Sequence, residues 1–109
     1  MGKRTVSVFL KRIFKTVAGR IKFMKIFETH AHYDDEAFRE DREALFDEMF
    51  ANDIDTIINV GASFAGCEQS VALADSHEKF YAAVGIHPED VEELTEARMA
   101  WLKKTASEN

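Results

Sequence analysis

The chain carries a single cysteine, Cys67, so no disulfide can form within it. That excludes a disulfide-stapled secreted domain and fits a reducing cytosol. Cys67 itself reads as a small buried side chain on a helix face. No stretch approaches the roughly 18 consecutive apolar residues of a membrane span. There is also no sustained apolar core followed by a small-residue cleavage site, as a signal peptide would have. Internal repeats beyond a βα unit and low-complexity segments are lacking too. These absences predict a cytoplasmic location and no membrane partner.

Acidic residues are missing from the first 25 positions, which hold Lys3, Arg4, Lys11, Arg12, Lys15, Arg20, Lys22 and Lys25. All 20 acids therefore fall later, against the six remaining basic residues, and the overall charge of −6 hides a basic start and an acidic body. Such a step marks a boundary between pieces with different roles. An acidic body does not attract nucleic acid by bulk charge, so a DNA substrate would need a metal and a local basic surface. Val6, Phe9, Leu10, Ile13, Phe14, Val17 and Ile21 recur at helical spacing, which makes 1–23 a basic amphipathic extension. It reads as a segment outside the domain, upstream of a true start at Met24. A membrane-surface helix and a targeting segment are the other readings. The domain is then 24–109.

What is present in 24–109 is a βα rhythm. Strands are expected at 25–28, 55–60 and 80–86, the last two almost wholly apolar. A first helix should begin near 34–36 and stop at Asn52, with Phe38, Leu45 and Met49 as its apolar face. Ser63 is placed to cap a second helix with the face Phe64, Cys67, Val71 and Ala74. Thr95 is placed to cap a third, packed through Leu94, Ala97, Trp101 and Leu102. Strands alternating with helices argue a parallel α/β sheet, either open or part of a (β/α) barrel. Periodicity does not choose between them. A whole barrel needs about 250 residues, so this chain of 109 would hold only three of eight units.

The chemistry concentrates in Phe27-Glu28-Thr29-His30-Ala31-His32-Tyr33-Asp34-Asp35, which runs off the C-terminal end of the first strand. Residues two apart on an extended chain point the same way. His30 and His32 can therefore aim two imidazoles at one divalent ion. Spacing alone leaves a second reading open, two solvated loop histidines. His87, at the end of the third strand before Pro88, reads by itself as a turn or hydrogen-bonding residue, but it falls at the same end of the sheet as His30 and His32. His77 reads as a surface residue favoured by the helix dipole.

Three blocks, Ile26 to Asp35, Ile58-Asn59-Val60-Gly61, and Tyr81-Ala82-Ala83-Val84-Gly85-Ile86-His87-Pro88-Glu89, resemble in order and separation the N-terminal part of the TatD family of metal-dependent deoxyribonucleases. The resemblance covers about Lys25 to Leu102. It implies an α/β fold, the opening three βα units of a TIM-type (β/α)8 barrel. It also implies hydrolysis of DNA phosphodiester bonds by metal-activated water, with Mg, Mn or Zn as the divalent ion. His30 and His32 carry over as metal ligands, and His87 as an active-site-facing residue near a phosphate. Position 28, usually Asp in the family, is Glu28 here. The family's later ligands are a glutamate in a Gly-Glu-x-Gly-Leu-Asp block, two further histidines and an aspartate. None of these lies within the 109 residues. The expectation is a truncated N-terminal portion, inactive alone. The alternatives are another amidohydrolase-like metal hydrolase, or a non-catalytic truncated product.

Overall fold

A computed structural model describes residues 24–108, so the amphipathic reading of 1–23 lies outside the described residues. Three parallel strands, β1 (Ile26–Ala31), β2 (Ile54–Val60) and β3 (Phe80–Ala83), form one sheet in the order β1-β2-β3. Helices α1 (Arg42–Ala51), α2 (Phe64–Ser76) and α3 (Glu96–Ser107) follow the strands in turn. Each strand lies beside its predecessor, the order in which consecutive βα units accumulate. Both β1 and β3 are edge strands of this sheet, and Phe27 and Tyr81 on them are more than half exposed.

The elements follow from their residues, with several shifts from expectation. The first helix begins at Arg42, well after the expected 34–36. Local side-chain bonds draw the intervening backbone elsewhere. Asp35 accepts from the Ala37 amide and caps a short 3₁₀ turn, Glu36–Phe38, while Arg42 reaches back to the carbonyls of Asp34 and Asp35. Phe38 thus leaves the helix face and packs edge-on against Tyr33, 5.2 Å between ring centres. Asn52 does end α1, but the left-handed residue that turns the chain into β2 is Asp53, at φ 71°. Aspartate is among the few side chains that tolerate that region.

Ser63 and Thr95 cap α2 and α3 as expected, accepting from the amides of Gly66 and Arg98. The buried stripe of α2 is Gly66, Cys67, Ser70 and Leu73, rotated from the expected face because the buried polar Ser70 breaks the apolar pattern. On α3, Leu102 is buried and Trp101 meets Phe64 at 5.2 Å, but Ala97 is exposed. The third strand stops at Ala83, three residues short of 86, and 84–87 form an irregular turn.

The core sits between α1, α2 and one sheet face. Phe46, Met49 and Ile57 are almost wholly buried, joined by Ala31, Leu45, Ile54, Leu73 and Phe80. His77 is no surface residue. It ends α2 with its side chain 19% exposed, its ring against Phe46 and Phe80, and its Nε2 2.9 Å from Glu43 Oε2 on α1. Burial disfavours its charged form. The hydrogen bonds to Glu43 and the Leu73 carbonyl, with the charges of Glu43 and Asp47, outweigh that and raise its pKa. A raised folded-state pKa gives stability that is full below the ordinary value near 6.5 and lost as pH rises through the folded value. The melting temperature should therefore fall as pH rises above the ordinary histidine value near 6.5. His77→Gln should flatten that slope in circular dichroism melts, and an unchanged slope would reject the clamp.

Candidate metal centre

The site begins with an irregularity in β1. Glu28 pairs with Ile57 and Ala31 with Asn59, so β1 holds one more residue than β2 between those pairs. An extra residue of this kind bends a strand and re-aims a side chain. It falls at Thr29 and His30. Ala31 turns into the core, while His30 and His32 face the other way, exposed. Their Nε2 atoms stand 3.1 Å apart, with the rings crossing at 78°.

Hydrogen bonding assigns the hydrogens. Nδ1 of His32 lies 2.8 Å from the Val60 carbonyl, which can only accept, so Nδ1 carries the hydrogen. In a neutral ring this leaves the Nε2 lone pair free and pointed at His30. The His32 ring is thus oriented by a carbonyl from the neighbouring strand, an arrangement of the kind that orients metal-binding histidines. His30 then donates Nε2–H to His32, and must move that hydrogen to Nδ1 before its own lone pair can ligate. Glu28 accepts from the His30 amide at 3.2 Å, so its carboxylate steadies the strand beside the pair. The same carboxylate is a lesser cause of the raised Tyr33 pKa, for which burial is the main one.

The donor set fits a divalent ion. Two nitrogens held at about 2.0–2.1 Å from one ion, at angles between square and tetrahedral, lie about 2.8–3.4 Å apart. The observed 3.1 Å falls in that interval. Two nitrogens alone do not complete a coordination sphere, and among the described residues no three or more His, Cys, Asp or Glu side chains form a metal-holding group.

His87 lies at the C-terminal edge of the sheet but makes no hydrogen bond to either histidine. It caps a second 3₁₀ turn, Pro88–Glu93, its Nδ1 accepting from the Glu89 amide at 3.2 Å. Its hydrogen therefore sits on Nε2, the opposite tautomer to His32. A shallow cavity of about 250 Å³ opens beside it, walled by Val60, Gly61, Ala62, Gly85 and Ile86. Val60, whose carbonyl orients His32, thus also borders the space next to His87.

Residues 27–109 match the family model described as TatD related DNase. The chain belongs to this family. A curated relative, described as "Uncharacterized metal-dependent hydrolase YabD" of Bacillus subtilis (strain 168), is 29% identical over 82 residues. That match covers 75% of this chain and 32% of the relative, so the chain spans about a third of the relative's length.

In this TatD-related chain Cys67 is fully buried and structural, as expected. Its thiol donates to the Gly85 carbonyl at 3.0 Å and accepts from the Gly85 amide at 3.3 Å, tying α2 to the turn before His87. Burial pushes its pKa up, the Gly85 bond pulls it part-way back, and Asp34 adds a smaller upward push. A buried thiol of this kind is inert. An aromatic disulfide reagent should label Cys67 only as fast as the protein unfolds, and rapid labelling of the native chain would contradict the assignment. Spacing arguments missed the network in which Asn59 donates to both Asp34 and Ser70. The one signal in the sequence was an asparagine inside the β-branched run of β2.

Proposed function

We propose that this chain supplies the first part of a TIM-type (β/α)8 hydrolase whose complete form cleaves DNA phosphodiester bonds with a divalent ion, Mg, Mn or Zn. The observation that carries the proposal is the convergence of two imidazole Nε2 atoms at 3.1 Å, at the C-terminal end of a parallel strand. That end is where barrel enzymes place their reacting groups. Membership of the TatD-related family, and a relative described as a metal-dependent hydrolase, support the same reading.

When bound, a divalent ion polarises a phosphoryl oxygen and makes a water nucleophilic near neutral pH. The chain's own residues do the rest. His30 and His32 would hold the ion through Nε2, with the Val60 carbonyl keeping the hydrogen of His32 on Nδ1. His87 lines the shallow cavity and carries its hydrogen on Nε2, a donor suited to a non-bridging phosphate oxygen. Two imidazoles fall short of the three protein ligands that catalytic sites usually hold. The chain alone therefore binds metal without turning over DNA.

The test replaces the matching third of the Bacillus subtilis relative with residues 27–108. The chimera should hydrolyse a DNA oligonucleotide only with Mg²⁺, Mn²⁺ or Zn²⁺, and His30→Ala should remove that activity. Metal-dependent hydrolysis of some other ester, with DNA left intact by chimera and parent alike, would sink the substrate assignment. Cleavage by the 109-residue chain itself, lost in His30→Ala, would sink the claim that it is inactive alone.

A further inference from the structure

Asn59 is fully buried in the central strand, where an apolar side chain would cost less to desolvate. It is also almost fully satisfied. Its Oδ1 accepts from the Tyr33 amide at 2.7 Å, and its Nδ2 donates to Asp34 Oδ1 at 2.9 Å and to Ser70 Oγ at 2.8 Å. Ser70 passes its own hydrogen to the Gly66 carbonyl at 2.7 Å. The amide orientation is fixed by these partners, because the flipped form would set NH₂ against the Tyr33 N–H. Two of the three bonds from Asn59 fall on the residues directly after His32. The next residue along β2, Val60, bonds the His32 ring. One dipeptide therefore grips His32 twice: Asn59 holds its backbone exit and Val60 holds its imidazole.

We propose that Asn59 is a positioning residue for the metal centre, fixing through Tyr33 and Asp34 the angle at which His32 meets the ion. It touches neither the ion nor the reacting atoms. The inference rests on the reading of His30 and His32 as ligands, and it adds the residue that orients them. A fully satisfied buried polar network specifies one geometry where an apolar contact would allow several. Groups that orient metal ligands typically change affinity about 10- to 100-fold when removed.

The experiment uses the full 109-residue chain and its Asn59→Ala and Leu73→Ala variants. Leu73 is a buried core residue on α2 that touches neither histidine, so its variant matches the loss of stability without reaching the site. Mn²⁺ and Zn²⁺ binding is measured by calorimetry below each variant's melting temperature. Nitrogen NMR of the metal-free protein reports which ring nitrogen of His32 carries the hydrogen. Asn59→Ala should lose about 10- to 100-fold in affinity and turn His32 from Nδ1–H into a mixture of tautomers. Leu73→Ala should keep both at wild-type values. Equal losses in the two variants, or none in Asn59→Ala, would overturn the proposal. Should Asn59→Ala fail to fold, Asp34→Ala removes the loop side of the same brace and must shift the His32 signature in the same direction. If the wild type binds no metal, the metal-centre reading falls, and the NMR signature alone decides whether Asn59 orients His32.

Discussion

His32→Ala is expected to weaken Mn²⁺ or Zn²⁺ binding on the order of 100-fold or more, a larger loss than for removing any group that merely orients a ligand. His32 enters the site with its ring fixed by the Val60 carbonyl and its backbone exit held by Asn59. Little freedom is lost when it binds. Among the described residues, the His30 ring is bonded to His32 and its amide to Glu28. His30→Ala should therefore also cost affinity, but less, because it must both shift its hydrogen and stop rotating. His32→Ala leaves the Val60 carbonyl without its partner, but this contact is exposed at the C-terminal end of β2 and water replaces it, so the melting temperature should barely move. Calorimetric titration of the two variants side by side reads the order directly. If His30→Ala proves the more damaging, His32 is not the preset ligand.

Phe46→Ala should remove about 3–5 kcal/mol of stability. Phe46 is 1% exposed and is the meeting point of the aromatic cluster. Its ring lies 4.6 Å from Phe80, 5.2 Å from His77 and 5.6 Å from Tyr33. Those partners come from β3, the end of α2 and the loop after His32, so the cavity left by alanine is walled by three elements and cannot close by moving one. Native domains hold only about 5–15 kcal/mol in total, so the variant should sit near its unfolding midpoint at room temperature. Urea melts followed by circular dichroism check this. A loss below about 1 kcal/mol, the range of a well-tolerated core swap, would show that the cluster collapses around the gap.

The parts legible in the sequence were those set by local chemistry. Ser63 and Thr95 announce α2 and α3 because a short hydroxyl side chain beside free amides has one good use. His30 and His32 share a side because extended chain alternates, and the bulge alters their aim without undoing that. Illegible were the features decided across the fold. The late start of α1 depends on Asp35 and Arg42 bonding to nearby backbone in a turn. His77 looked like a surface residue because nothing nearby shows that Phe46, Phe80 and Glu43 would gather around it. Asn59 gave little away, since its three partners lie 11 to 26 residues distant.

The Val60 carbonyl and the Asn59 amide belong to β2, while the histidines lie on and just after β1. The 3.1 Å approach of the two Nε2 atoms is thus tied to the two strands being joined with Ala31 opposite Asn59. A slip of one residue would turn the imidazoles to the wrong face. An ion that prefers the paired nitrogens therefore selects one alignment of the chain from all others, and its binding and the folding of the sheet become one linked equilibrium. Such an ion acts as a thermodynamic proofreader of strand pairing, raising the unfolding free energy by RT ln(1 + [M]/Kd) as its concentration [M] climbs.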